Sequence, residues 1–308
     1  MKALEATKAM KMAAVCGMAA AVCGVPAAHA ADAPAGATLA KIRETGTISI
    51  GHRTSSIPFS FYDGSQKVVG FSQDICDKVI AEAGRRAGVA SLQVHMVPVT
   101  SQNRISLVQN GTVDLECGVT TNLKARQQQV AFSTTFFVAG TRLLVKKGSP
   151  VQDFGDLSGK AVVTNAGTTS ERILRRLNDE KKANIAIQSA KDYGESFLIL
   201  QSGRVAAFMM DDVLLSGVKT TAPAPADWTV VGTPQSFEAY GFMMRKDDPE
   251  FKKLVDGVIT GLMKSGEIRV MYDKWFNKPI PPKNVSFEFP MSAAVRKAYE
   301  QPSDEAFE

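Results

Sequence analysis

Three arginines stand just past three stretches of strand-like residues, and that placement points to carboxylate chemistry. The alternating run Thr47-Ile48-Ser49-Ile50 leads into Gly51-His52-Arg53-Thr54-Ser55-Ser56. A second run leads into Thr100-Ser101-Gln102-Asn103-Arg104, and a third into Gly118-Val119-Thr120-Thr121-Asn122, with Arg126 slightly further on. A guanidinium is a planar fork of donors that engages a carboxylate through two parallel hydrogen bonds, and the flanking hydroxyls add single donors or acceptors. A second group has a different mixture: Gly167-Thr168-Thr169-Ser170, Asp192-Tyr193 and Asp211-Asp212. Helix-opening amides there favour an anion, and the carboxylates favour a cation. Separate negative and positive subsites suit a zwitterion that carries an additional negative charge. Taken singly, each piece has a plainer reading: a surface arginine in an ion pair, a capped helix start, an aspartate pair at an N-cap. What joins them is that all fall at the same end of the elements that carry them.

Those elements read as α/β. Thr47 to His52 alternates as a strand. A helix follows from Phe71, with Ser72 as its N-cap, Asp74 in the first turn, and Ile75, Val79 and Ala83 at helical spacing; Gly84 and Gly88 weaken its end. Leu92 to Val99 is a second strand, Ser101 to Gln109 a short helix stopped by Asn110-Gly111, and Val113, Leu115 and Cys117 alternate in a third strand. This order predicts a mainly parallel sheet flanked by helices. The pattern restarts with a strand from Lys160 to Asn165, a helix carrying Ile173, Leu174 and Leu177, a strand from Ile185 to Gln188, a helix from Asp192 to Gln201 and a strand from Val205 to Met210. The expected organisation is a first lobe of residues 31–138 and 240–308 around a second lobe of residues 139–239. Two apolar crossings, Ala131 to Lys147 with Gly140 in its middle and Tyr240 to Arg245, fit a hinge of two antiparallel strands. Helices from Pro249 to Lys264 and Glu267 to Phe276 rejoin the first lobe, and a polar tail after Pro279-Ile280-Pro281-Pro282 wraps the surface. In open parallel sheets ligands bind at the carboxyl ends of the strands, where both groups of polar residues fall.

Residues 1–30 read as a signal peptide: Lys2, Lys8 and Lys11, an apolar run from Met12 to Pro26, and Ala28-His29-Ala30 as a small-x-small cleavage site, with a periplasmic chain starting at Ala31. The run is shorter than the roughly 20 apolar residues of a membrane span. A net charge of +5, with both signs interspersed, argues against nucleic acid as a partner. Beyond the leader only Cys76 and Cys117 remain, either one disulfide or two buried thiols. The sequence has no phosphate-binding Gly-rich signature, zinc spacing or nucleophile elbow, and implies no cofactor. Cys117 with His52 is the nearest approach to a thiol–imidazole pair, and a strand cysteine beside a strand-end histidine is its plainer reading.

The strings GHRTSSIPFSFYD, GFSQDICDKV, VTSQNRISLVQNGTVDLECG, TTNLKARQQQVAFS, SAKDYGESF, QSGRVAAFMMDD and EAYGFMMRKDDP resemble the glutamate/aspartate-binding proteins of ABC importers, within the type II periplasmic binding-protein fold. The resemblance runs from about Thr38 to the C-terminal tail. It implies a monomeric receptor that is not an enzyme and hands glutamate or aspartate to an inner-membrane permease. It assigns Arg126, with donors from the Thr169 region, to the ligand α-carboxylate. Asp211 takes the α-ammonium with Thr121 and a carbonyl near Val119, while Arg53, Ser101 and Arg104 hold the side-chain carboxylate. Two departures bear on ligand preference. Val119 replaces the family's usual serine, and Tyr193 its common histidine, so a phenol stands where an imidazole would. Rival readings are a receptor for glutamine or asparagine, a dehydratase-like enzyme on the same fold, and a signalling module.

Overall fold

A computed structural model describes residues 36–286 and 288–306, so the expected signal peptide lies outside the described residues. The described residues begin with α1 (Ala37–Thr45), β1 (Thr47–His52), β2 (Ser55–Ser56), β3 (Ser60–Tyr62), β4 (Val68–Val69), α2 (Phe71–Ala87) and β5 (Gln93–Pro98). It continues with α3 (Arg104–Gln109), β6 (Leu115–Thr121), α4 (Lys124–Gln127), β7 (Ala131–Phe132), β8 (Phe137–Ala139) and β9 (Thr141–Lys146). Next come β10 (Ala161–Asn165), α5 (Thr169–Lys181), β11 (Ala186–Ala190), α6 (Tyr193–Gln201), β12 (Ala207–Asp211) and α7 (Asp212–Lys219). The last elements are β13 (Trp228–Val231), β14 (Glu238–Met244), α8 (Pro249–Ser265), α9 (Glu267–Tyr272) and α10 (Ala293–Glu300).

The first large sheet has the order β5-β1-β6-β14-β7, with β8 also on β14. Its parallel part is β1 between β5 and β6, and β14 runs antiparallel to its neighbours. The second sheet has the order β11-β10-β12-β9-β13, with β10 parallel to β11 and β12, and β9 antiparallel to β12 and β13. Each sheet with its helices is a lobe of the expected α/β type. The chain leaves the first sheet at Ala139 and enters the second at Thr141, with Gly140 between, and returns between Val231 and Glu238. The crossing expected as one stretch is thus three strands, because β7 and β8 pair with β14 whereas β9 pairs with β12.

Apolar spacing explains what holds the first lobe together. Ile75, Val79 and Ala83 of α2 are buried at the predicted period, and Leu254, Val255, Ile259 and Leu262 of α8 are buried likewise. Phe137 of β8 stacks 5.2 Å from Phe276 and lies 4.9 Å from Phe59, anchoring the crossing strand in an aromatic core. Cys76 and Cys117 form a disulfide that ties α2 to β6, which settles the alternative left open by the sequence.

Four expectations need correction. Gly70, not Ser72, is the N-cap of α2: its φ is 136°, and a Cβ there would lie 2.1 Å from the Phe59 carbonyl oxygen. The opening amides of Phe71 and Ser72 donate to the carbonyls of Pro58 and Phe59 at 2.8 and 2.9 Å, so neighbouring backbone does the capping and the Ser72 hydroxyl donates to the Gly118 carbonyl instead. The helix expected from Ser101 starts at Arg104. The third strand does not stop near Cys117, because pairing of Thr120 and Thr121 with Gly241 and Tyr240 extends it to Thr121. The tail contains α10, whose Val295 and Tyr299 are buried. Among the described residues no helix is long and apolar enough to cross a membrane.

Candidate ligand-binding cleft

The first lobe supplies cations. Arg53 directly follows β1 and is 2 % exposed; its amide donates to Ser60 Oγ at 2.9 Å and its guanidinium carbon lies 5.0 Å from the centroid of the Tyr193 ring. Arg104 opens α3 and donates through Nη1 to the Val119 carbonyl at 3.4 Å. Burial lowers its pKa below that of an ordinary arginine, Glu116 opposes this, and Arg53 adds to the lowering. Arg126, on α4, reaches the Thr121 carbonyl through Nη1 at 2.9 Å and the Gly167 carbonyl through Nη2 at 3.3 Å. Burial first, and Arg104 next, bring its pKa down to about 9, against the pull of Glu238. Among the described residues none of these arginines forms an ion pair within 4.0 Å. Arg53 Nη1, Arg104 Nε and Ser101 Oγ are buried and have no hydrogen-bond partner. A buried donor without a partner is costly, and a cluster of them fits an anionic ligand.

The second lobe supplies the remaining members. Thr168 caps α5 by accepting from the Glu171 amide, which places Thr169 in the first turn. Asp192 caps α6 in the same way, and Tyr193 follows it, buried beneath Arg53. Asp211 closes β12 and is 2 % exposed. Its carboxylate accepts from Thr141 Oγ1 at 3.0 Å and from the Tyr240 hydroxyl. Burial, then the charge of Glu238, push Asp211 well above the usual carboxylate range, and both hydroxyls pull it back. Asp212 instead accepts from the amides of Val213 and Gly140. All nine residues singled out in the sequence are buried, and those of the two lobes meet. Gly167 lets the lobes approach: its φ is +78°, and a Cβ there would lie 2.8 Å from Gln102 Cα. Ser55 Oγ also bridges the lobes, donating to Asp192 at 3.4 Å. A cavity of about 420 Å³ opens beside Arg126, Gly167 and Thr169.

Four site residues escaped the sequence reading. Glu116, between Leu115 and Cys117 on β6, is fully buried and accepts from the Thr120 hydroxyl at 2.8 Å. Glu238 accepts from both Thr121 and Thr169, while Tyr240 and Thr141 hold Asp211. A carboxylate at the head of the apolar run Ala239 to Met244 was the available signal for Glu238. Cys117 is disulfide-bonded, so it makes no thiol–imidazole pair with His52, whose Nδ1 lies 3.0 Å from the Arg53 carbonyl oxygen.

Two α/β lobes joined by crossing strands, with a charged cleft between them, define a solute receptor. The chain belongs to the bacterial extracellular solute-binding proteins, family 3, which match residues 48–278. It is 51 % identical over 301 residues to the glutamate/aspartate import solute-binding protein of Escherichia coli (strain K12), covering 98 % of this chain and 97 % of that one. It is 55 % identical over 273 residues to the L-glutamate/L-aspartate-binding protein of Pseudomonas aeruginosa, covering 88 % and 90 %. Among solved structures it is similar to an ancestral amino acid-binding protein described as a precursor of cyclohexadienyl dehydratase, with a TM-score of 0.67 and 29 % identity over 77 % of this chain and 99 % of that one.

Proposed function

We propose that this chain is the periplasmic receptor of an ABC importer and captures glutamate or aspartate between its lobes for delivery to an inner-membrane permease. The observation that carries this reading is three buried arginines without an ion-pair partner, two of them bearing unpartnered donors, together with the buried carboxyl of Asp211 at the end of β12. The relatives named for glutamate and aspartate, at more than half identity, support it. Arg126 and Asp211 hold the amino-acid backbone, with Thr121, Thr169 and the Val119 carbonyl; Arg53, Ser101 and Arg104 read the side-chain carboxylate beside Tyr193. Residues 1–30 are removed on export, and the receptor acts as a monomer of two lobes, 31–138 with 240–308 and 139–239. It binds its ligand without changing it. Titration calorimetry on ligand-stripped protein with glutamate, aspartate, glutamine, asparagine and arginine tests the reading, together with recovery of the ligand chemically unchanged. Tighter binding of an amide or a cationic amino acid than of either acid would overturn it.

A further inference from the structure

We propose that Glu238 is a positioning residue that latches the two lobes and sets the polarity of two cleft hydroxyls. Thr121 ends β6 in the first sheet, and Thr169 begins α5 behind β10 in the second. Glu238 begins the return strand β14, opposite Ala139 on β8, so its own position lies where the chain passes between the sheets. A single oxygen, Oε2, accepts both the Thr121 hydroxyl and, at 2.8 Å, the Thr169 hydroxyl. Glu238, Thr121 and Thr169 are 2 %, 3 % and 4 % exposed, so water does not compete for these bonds. The lobes are also bridged by the Tyr240 hydroxyl on Asp211, by Lys283 on the Thr221 and Ala222 carbonyls at 2.6 and 2.9 Å, and by longer bonds of 3.3 Å from Arg126 to Gly167 and 3.4 Å from Ser55 to Asp192; among these acceptors Glu238 takes hydroxyls of both lobes on one oxygen. The two bonds to Glu238 form together only when the lobes are in contact, so they favour that arrangement whichever amino acid is bound.

A hydroxyl has one proton. With both protons directed at Glu238, Thr121 and Thr169 offer a ligand only lone pairs. They therefore accept from an ammonium and cannot donate to a carboxylate, which leaves carboxylate recognition to the arginines and backbone amides. This second part rests on the proposed reading of the ligand as an amino acid; the latch does not.

The test compares the parent with Glu238→Leu, Glu238→Gln, Thr169→Val and the double variant Glu238→Leu/Thr169→Val, by calorimetry with the common amino acids and by spin-label distances between the lobes. Glu238→Leu is expected to weaken every amino acid the parent binds by about 5- to 150-fold, the range that two lost hydrogen bonds give. Glu238→Gln keeps an acceptor oxygen and stays within about fivefold of the parent, below the loss of a single stronger bond. Thr169→Val in the Glu238→Leu background adds little, because the shared bond is already gone. Additive losses, equal losses for Gln and Leu, or a Glu238→Leu protein within twofold of the parent would overturn the latch. If the parent binds no amino acid, the functional reading fails on its own. The latch is then judged by distance alone: Glu238→Leu must broaden or lengthen the interlobe distribution, and an unchanged distribution refutes it.

Discussion

Replacing Asp211 with Asn should move stability and affinity in opposite directions. The side chain keeps its shape, and its amide still meets Thr141 and Tyr240, both of which are able to accept a hydrogen bond. Its folded pKa lies well above the usual 3.8 because the carboxylate is desolvated and faces the Glu238 carboxyl. The folded protein therefore holds a proton that the unfolded chain releases, so this group's contribution to stability is greatest below pH 3.8 and is lost as pH rises towards the folded pKa. Asp211→Asn removes that loss. The ligand-free variant should melt higher than the parent at pH 7, with the gap closing as the pH approaches 4. Binding should respond the other way. An ammonium beside Asp211 stabilises the carboxylate, and losing one partner of a desolvated ion pair costs about 2–5 kcal/mol, or about 30- to 5,000-fold in affinity. Because the ammonium lowers the pKa, binding by the parent should release a proton and strengthen as pH rises through the folded pKa; the variant should lose that dependence. Scanning calorimetry without ligand, and titrations in buffers of different ionisation enthalpy, measure both effects. A variant that melts lower without ligand and binds within threefold of the parent would reduce Asp211 to a structural partner of Tyr240 and Thr141.

Arg126→Met should weaken all amino-acid ligands to a similar degree. Arg104→Met should cost the acids about 2–5 kcal/mol and the amides about 0.5–1.5 kcal/mol, so the acid-to-amide ratio of affinities separates the two roles. Tyr193→Phe and Tyr193→His test the departure from the family histidine: a ratio that moves with His but not with Phe assigns the effect to the ring's charge rather than to the phenol. Removing the Cys76–Cys117 bond with a double Ser variant should cost about 4 kcal/mol of unfolding free energy, from the loop entropy of a 41-residue separation, read by denaturant titration; a loss below about 1 kcal/mol would contradict it.

Much of the fold was legible because periodicity reports burial. The parallel strands and the buried face of α2 follow from spacing alone. What escaped depends on partners distant in sequence. The length of β6 is set by β14, so Val119 and Thr121, expected in a loop, lie in a strand held at its edge by Gly241 and Tyr240. The cap of α2 comes from carbonyls a dozen residues back, which no N-cap rule reads from Ser72. The arginines were legible because each follows within a few residues of a strand: Arg53 directly after β1, Arg104 at the start of α3 and Arg126 on α4. Glu238 was not, because its significance arises only when Thr121 and Thr169 arrive from different sheets.

The cleft keeps its cations oriented without neutralising them, and this bears on which ligands it refuses. Arg104 and Arg126 are aimed by the carbonyls of Val119, Thr121 and Gly167, which hold the guanidinium forks while leaving their charge unpaired. Glu116 and Glu238 act on them through the field, offsetting part of the desolvation without coming within ion-pair distance. A carboxylate placed directly against either arginine would occupy the donors that a ligand needs. With the carboxylates set back, a ligand carboxylate gains the whole interaction, whereas a ligand amide leaves buried charges unpaired and a cationic side chain brings like charge against Arg53 and Arg104. Acid selectivity in this arrangement comes as much from what the arginines penalise as from what they bind. Moving a carboxylate inward, as Ser101→Asp would do, offsets one of the two guanidinium charges and should therefore narrow the preference for acid over cationic ligands in the same titrations. If that variant kept the parent's full preference for glutamate over arginine, the selectivity would have to come from the shape of the cleft.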